Sequence, residues 1–186
     1  IVGLYYLGFP EDPEEFEIKE TVKKIKEFLI SNNLYKENLE KEIENIITSR
    51  INVLEKLYGY KVPKKFDHYC GDFVYVIVNK LYELVPGLES YRNIVIKKIE
   101  ERDNEIYQFT MKISRRVLED QLKTLWSFDV YYDLFNKESD ILCFKLWDKT
   151  FEILKRKNIV IYVDKGEKKG TWCIDLNKWE EFKDLE

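Results

Sequence analysis

Apolar residues recur at helical spacing along most of the chain, and four long segments carry this pattern. The segments run from about residue 14 to 30, 35 to 58, 88 to 101 and 104 to 126. Residues three and four apart lie on one face of an α-helix, so each segment predicts an amphipathic helix with one buried stripe. The first two are separated by a short Ser-Asn-Asn stretch, which predicts an antiparallel helical hairpin. Gly59 stands where the second helix would be capped.

Shorter apolar runs occupy the rest of the chain. The opening run IVGLYYLGF predicts a strand or an extended segment. Residues 73–78 are predicted as a short strand, although the start of a helix fits the run equally well. Residues 139–157 predict a further helix, and residues 159–163 and 171–176 flank a charged turn that predicts a β-hairpin. The sequence therefore predicts an α+β fold that is mostly helical, with a small hairpin near the C-terminus.

The composition permits a buried core and excludes several kinds of protein. The chain has 186 residues, of which 45% are hydrophobic, and a formal net charge of −4. This charge argues against attraction of the whole chain to nucleic acid, DNA included, but leaves room for a local basic patch. No apolar run is long enough to span a membrane. Three widely spaced cysteines without a C-x-x-C pair argue against a metal site and predict reduced thiols in a cytoplasmic protein.

Candidate catalytic residues are few. His68 is the one histidine in the chain, which excludes a histidine-rich metal site and limits any Ser-His or Cys-His arrangement. It lies between Asp67 and Tyr69, and we expect a structural histidine bonded to the backbone or to a neighbouring acid. No P-loop and no G-x-G-x-x-G occur, so nucleotide binding has no support from a loop motif. No catalytic residue is assigned.

Two basic clusters are candidates for contact with phosphates. KISRR contributes Lys112, Arg115 and Arg116, and KGEKKG contributes Lys168 and Lys169. The simpler interpretation, a solvated helix face and a hairpin tip, is favoured. KISRR also resembles the KMSKS loop of class I aminoacyl-tRNA synthetases. Its place within an amphipathic stripe, without a nearby glycine, argues against a mobile phosphate-binding loop.

The stretch FDVYYDLFNKESDIL, residues 128–142, breaks the helical pattern between two amphipathic segments. It is expected to be a joint, with Ser139 as the N-cap of the following helix. Asp129 and Glu138 have no obvious structural role, so these carboxylates either hold the joint or face a ligand. The side chains expected to bury against both helices are Phe128, Tyr131, Tyr132, Leu134 and Phe135.

Four segments resemble those of arginyl-tRNA synthetases; one of them, RVLEDQLKTLWSFDV, is similar to the helix that leads into an FD pair. Phe128 and Asp129 form the FD pair of that family, and Glu138 and Ser139 form its ES pair. The segment from Gly170 to Leu176 is similar to a Gly-Ala-x-x-x-Asp-Leu strand, with Thr in place of Ala. The fourth segment, KKFDHYCGDFVYV, matches a proline-Asp-His, Gly, Tyr-Val pattern at Asp67, His68, Gly71, Tyr75 and Val76. The resemblance covers roughly Leu57 to Leu185, whereas residues 1–55 show no clear counterpart.

The resemblance implies a division at residue 60 and a role in aminoacylation. Residues 61–186 would be the insertion region of the catalytic domain, and residues 1–60 a strand with a helical hairpin of unclear origin. The family joins arginine to tRNA with ATP and Mg²⁺, through a HIGH signature that needs two histidines. With one histidine, this chain is predicted to be inactive alone. The resemblance further implies that the chain binds no cofactor, supports the active site and helps to hold the tRNA acceptor end, with Lys112, Arg115, Arg116, Lys168 and Lys169 as candidate tRNA contacts. The alternative is a stand-alone paralogue without catalysis that binds another protein.

Overall fold

The computed structural model describes residues 1–137, 146–176 and 179–180. Its internal contacts divide the chain into two compact units, Ile1–Tyr131 and Tyr132–Glu186. Residue 60 falls inside the first unit, where residues on both sides of it share one hydrophobic core. The division at residue 60, which concerns the origin of the two parts, stays a prediction.

The opening apolar run forms a short helix, α1 (Val2–Tyr5), so the predicted strand is wrong. The N–H of Tyr5 donates to the carbonyl of Ile1 at 2.9 Å. Periodicity cannot separate helix from strand in a run this short. Helical hydrogen bonds satisfy the buried backbone locally, whereas a strand without a partner would leave it unpaired. The buried side chains of the run are Val2, Leu4, Leu7 and Phe9.

The predicted helical hairpin is confirmed. A 3₁₀ turn at Pro13–Glu15 leads into α2 (Ile18–Ser31), which packs against α3 (Leu39–Tyr58). Helix α3 ends at Gly59, whose φ of 75° is the left-handed conformation expected of a glycine C-cap. The buried stripe residues are Val22, Ile25 and Leu29 on α2, and Leu39, Ile43, Ile47, Ile51 and Leu54 on α3.

The next helical stretch changes its hydrogen-bonding pattern along its length. It begins as α4 (Phe66–His68), continues as a π-helix over Tyr69–Tyr75 and ends as α5 (Val76–Leu84). The predicted strand near Phe73 is therefore wrong, and the helical alternative for that run is confirmed. The ring of Phe73 lies edge-on to that of Phe16, with centroids 4.9 Å apart. Residues typical of strands here pack into the core from a helix, because β-propensity yields to tertiary context.

Two further helices complete the first unit. They are α6 (Ser90–Glu101) and α7 (Glu105–Trp126), close to the predicted bounds. The side chain of Asn104 caps α7 by accepting a hydrogen bond from the N–H of Tyr107 at 3.0 Å. The residues of α6 and α7 that enter the core are Val95, Ile106 and Ile113.

The second unit contains helix α8, described over Leu146–Arg156, and strands β1 (Val160–Tyr162) and β2 (Trp172–Ile174). The strands are antiparallel, and Tyr162 lies opposite Trp172. The predicted hairpin and the mostly helical α+β fold are both confirmed. The predicted helix start at Ser139 lies outside the described residues. None of the described helices is both long and apolar enough to cross a membrane.

Candidate functional site

Two of the three cations in KISRR are held by one acidic residue from far away in the sequence. The Nζ atom of Lys112 lies 2.7 Å from Oε2 of Glu11, and Nη1 of Arg116 lies 3.7 Å from the same oxygen. Arg116 also donates to the backbone carbonyl of Glu11 at 3.2 Å, across 105 residues of sequence. A phosphate group at these cations would have to compete with Glu11.

The remaining contacts of KISRR are also internal to the first unit. The guanidinium of Arg116 lies 3.7 Å from the ring centroid of Phe66, a cation–π distance. Arg115 donates to Glu119 at 2.9 Å, one turn further along α7. KISRR lies within α7, as the apolar stripe predicted. The assignment of these residues to tRNA contact stays a prediction.

An open groove of about 750 Å³ lies at the N-terminal end of α7. Lys112 lines it, together with the carboxylates of Asp103 and Glu105 and the rings of Tyr5 and Phe109. Carboxylates repel phosphate groups at short range. The groove is therefore poorly suited to a nucleic-acid backbone, although one predicted contact residue faces it.

The motif around His68 is organised by short-range polar contacts. Nδ1 of His68 lies 3.0 Å from Oδ2 of Asp72, one helical turn later. Its backbone N–H donates to Oδ1 of Asp67 at 2.9 Å. Nε of Arg50 donates to the carbonyl of Asp72 at 2.5 Å, which connects α3 to the π-helix. These contacts agree with a structural histidine beside a neighbouring acid.

Gly71 and Tyr75 lie on the π-helix with their surfaces open. No atom lies within 4 Å of the position that a Cβ on Gly71 would take, and the ring of Tyr75 is exposed. Glycine within a helix costs about 1 kcal/mol relative to alanine. No neighbour among the described residues requires that glycine. The structure therefore gives Asp67 and His68 polar partners, while Gly71 and Tyr75 stay motif positions without an assigned contact.

The joint after α7 differs from the prediction in its burial. Phe128 is 74% exposed and Leu134 is 72% exposed, so the expected packing against both helices is wrong. Burial requires a surface to pack on, and the one ring contact of this stretch among the described residues joins Tyr132 to Phe135 at 5.6 Å. Tyr131, Tyr132 and Phe135 are likewise exposed.

The backbone conformation of Asp129 explains why α7 ends at this joint. Its φ is 57°, and its N–H donates to the carbonyl of Trp126 at 3.0 Å. The N–H of Val130 donates to the carbonyl of Leu125 at 3.0 Å. This pair of bonds is a Schellman motif with Asp129 at the left-handed position that usually holds glycine. Asp129 thus ends α7 through its backbone, whereas Glu138 and Ser139 lie outside the described residues.

The hairpin tip holds the other predicted phosphate contacts, and it adjoins a cluster that sequence reasoning missed. Lys168 and Lys169 lie in the turn between β1 and β2. A continuous row of rings, here named the aromatic ladder, crosses α8 and the hairpin. Its members are Trp147, Phe151, Trp172 and Tyr162. The sequence places Trp147 and Phe151 four residues apart on α8, and it places Tyr162 and Trp172 on the two predicted strands. The contact between Phe151 and Trp172 depends on the tertiary structure.

Metal and thiol chemistry find little support in the described residues. No group of three or more His, Cys, Asp or Glu side chains there could hold a metal ion. The expectation that this chain binds no cofactor stays a prediction. Burial raises the pKa of the Cys70 thiol to about 11, which keeps it protonated and unreactive near neutral pH. Cys143 lies outside the described residues.

Three archaeal enzymes named arginine–tRNA ligase are similar to this chain. The Pyrococcus furiosus protein is 34% identical over 131 residues, which are 69% of this chain and 20% of the relative. The Thermococcus kodakarensis protein is 32% identical over 141 residues, 76% of this chain and 21% of the relative. The Sulfurisphaera tokodaii protein is 26% identical over 186 residues, 95% of this chain and 28% of the relative.

The chain is a relative of the arginyl-tRNA synthetases. It spans about a fifth of the length of the Pyrococcus and Thermococcus synthetases that it matches. The match to the Sulfurisphaera synthetase covers 95% of the chain, so it includes most of residues 1–55 as well. No family model and no solved structure matched the chain.

Proposed function

We propose that this chain is a positional part of arginine–tRNA ligation. It supports the active site and helps to hold the tRNA acceptor end, while other parts of a synthetase carry out the chemistry. The observation that carries this proposal is a match over most of the chain to arginine–tRNA ligases of which it spans only about a fifth. Correct positioning of a substrate contributes to rate even where no catalytic group is supplied.

The chemistry is assigned elsewhere because this chain has one histidine. A HIGH signature, which stabilises charge developing on the ATP phosphates, needs two. His68 is paired with Asp72 in a helical stretch. We therefore assign adenylate formation to none of the described residues.

Binding of tRNA by the whole chain tests the proposal. A gel shift with a tRNA-Arg transcript at low salt should show a complex that weakens steeply as salt is raised, because phosphate contacts release counterions. Arginine- and tRNA-dependent exchange of pyrophosphate into ATP should be absent. A chain that does not retard tRNA at low salt, or one that catalyses the exchange, would contradict the proposal.

A second candidate function is a non-catalytic module that binds another protein. The exposed apolar side chains of the joint favour it, because large exposed apolar patches often mark interaction sites. Light scattering distinguishes the two candidates. A strict monomer that binds tRNA supports the positional function, and a stable protein complex that excludes tRNA supports the module.

A further inference from the structure

We propose that the aromatic ladder and the basic turn beside it bind the unpaired nucleotides of a single-stranded RNA end. The basic turn is defined as residues 163–171, between β1 and β2. This inference rests on the proposed function and assigns its RNA contact to one surface of the second unit. It also removes the cations of KISRR from that role.

The ladder is a continuous set of ring contacts. Trp147 and Phe151 stack on α8 with centroids 5.5 Å apart and planes 15° from parallel. Phe151 meets Trp172 edge-on at 5.4 Å, and Trp172 meets Tyr162 at 5.4 Å. Because Tyr162 and Trp172 face each other across the strands, α8 and both strands hold the ladder in place.

The ladder is open rather than buried. Trp147 is 57% exposed, Tyr162 is 56% exposed, and Trp172 is also exposed. Val160 is the only buried hydrophobic residue among the described residues of the second unit. Rings that are fixed in position and open to solvent can stack against a base without first being ordered, which lowers the entropic cost of binding.

Charge favours an anionic polymer at this surface. Residues 146–176 contain seven Lys or Arg and five Asp or Glu, although the whole chain is at −4. The Nζ atom of Lys155 lies 4.5 Å from the ring centroid of Phe151 while it is also paired with Glu152. Residues 146–176 thus carry a local excess of two positive charges, which favours contact with phosphates there.

The basic turn supplies three lysines next to the ladder, against the two carboxylates of Asp164 and Glu167. Lys165, Lys168 and Lys169 are exposed in it, and Trp172 follows Lys169 by three residues. Among the described residues, no ion pair involves any of these three lysines. The turn can thus meet phosphates without breaking existing ion pairs, unlike Lys112 and Arg116.

Single-stranded RNA fits this arrangement better than a duplex. Base stacking on protein rings needs bases that have left the helix, as they have at a free end. A duplex would offer only phosphates, and the short basic turn alone makes few contacts with them. Unpaired nucleotides therefore fit this surface best, with their bases on the aromatic ladder and their phosphates at the basic turn.

Fluorescence anisotropy with the full 186-residue chain tests the inference. The probes are a labelled 12-nucleotide single-stranded RNA and a blunt 12-base-pair duplex of the same sequence, at low salt. We expect the single strand to bind at least five times more tightly than the duplex. Trp147→Ala should weaken single-strand binding about tenfold, and Trp147→Tyr should restore most of it, because stacking on one ring contributes at this level.

A matched pair of charge reversals tests the choice of surface. The double variant Lys168→Glu, Lys169→Glu should bind the single strand at least tenfold more weakly. Lys112→Glu, Arg115→Glu makes the same change in net charge on α7 and should alter binding less than threefold. Far-UV circular dichroism of each variant verifies that the helices remain folded.

Four results would overturn the inference. They are equal binding of duplex and single strand, unchanged binding by Trp147→Ala, an equal loss in the α7 variant, and a homodimer that Trp147→Ala disrupts. If the ladder and turn variants still bind whole tRNA as the parent chain does, the inference fails and the proposed function stands. If the parent chain binds neither tRNA nor the single strand, both fail.

Discussion

At the scale of single residues, the backbone of Asp129 has a structural role, whereas its carboxylate has no assigned contact. It was a candidate for ligand contact because its carboxylate had no evident structural use. In the structure its left-handed backbone ends α7, and Asn33 and Asn158 have positive φ values after α2 and α8. Asn and Asp tolerate this conformation better than other residues that carry a Cβ.

The effect of a substitution at Asp129 on stability should depend on whether the new residue tolerates a left-handed φ, and not on its charge. Asp129→Asn should leave the melting temperature unchanged, because Asn also adopts left-handed φ values. Asp129→Val should lower the free energy of unfolding by about 1–2 kcal/mol, since a β-branched side chain is strained there. Thermal unfolding followed by circular dichroism measures both. Asp133→Val, at an exposed position nearby, serves as the control and should have little effect.

If Asp129→Asn keeps its stability but binds tRNA more weakly, the carboxylate faces the ligand. If affinity is kept as well, the residue is a structural helix terminator. A loss of stability on the change to Asn would contradict the assignment of a backbone role.

At the scale of elements, α3 provides a matched test of the core. Leu54 is fully buried, whereas Leu57, one turn later on the same helix, is 63% exposed. Leu54→Ala should lower the free energy of unfolding by about 2–5 kcal/mol, because it removes buried methyl groups and leaves a cavity. Leu57→Ala should change it by no more than about 0.5 kcal/mol. Equal losses in urea unfolding would show that the exposed face of α3 is covered in solution.

The contact between α7 and α4 should give stability that depends on pH. Asp120 accepts hydrogen bonds from the N–H of Phe66 and from Lys123, both at 3.0 Å. The hydrogen bond from Lys123 is the main reason that the pKa of the Asp120 carboxyl is lowered. The folded state thus favours the ionised form. Its contribution is complete above the unfolded pKa of about 4 and is lost as pH falls through the lower folded pKa.

Asp120→Asn keeps an oxygen that can accept from Phe66 but removes the charge. At pH 7 we expect it to be less stable than the parent chain by about 1 kcal/mol. The difference should shrink as the pH falls below about 4, where the parent carboxylate becomes protonated. Urea unfolding between pH 2.5 and 7 measures it, with Asp133→Asn as the exposed control. A difference that stays constant over this range would contradict the ionic contribution.

At the scale of the whole molecule, the contacts divide the chain after Tyr131, and the sequence resemblance divided it at residue 60. Limited proteolysis distinguishes the two divisions. Chymotrypsin should cut first at the exposed aromatic residues of the joint and leave a resistant fragment close to residues 1–131, because cleavage favours exposed, weakly packed segments. Mass spectrometry identifies the fragment. First cuts between residues 59 and 65 would favour the division at residue 60.

Some elements could be predicted from the sequence and others could not, for physical reasons. Helices α2, α3, α6 and α7 were predictable because each carries a long stripe at helical period, and the hairpin because a Gly-containing turn separates two short apolar runs. Helix α1 and the π-helix could not be predicted, because a short apolar run is compatible with both a helix and a strand. Of the site, the presence of KISRR in a helix was predictable. The pairing of Glu11 with Lys112 and Arg116, and the meeting of Phe151 with Trp172, depend on tertiary contacts.

The position of the ladder has a practical consequence for spectroscopy. The four tryptophans of the chain are residues 126, 147, 172 and 179, so the core of the first unit contains tyrosine and phenylalanine but no tryptophan. Emission under tryptophan-selective excitation therefore reports on the end of α7 and on the second unit, without contribution from indoles in the helical core. The natural protein thus carries its own local fluorophores, and events at the second unit can be followed without attaching a dye.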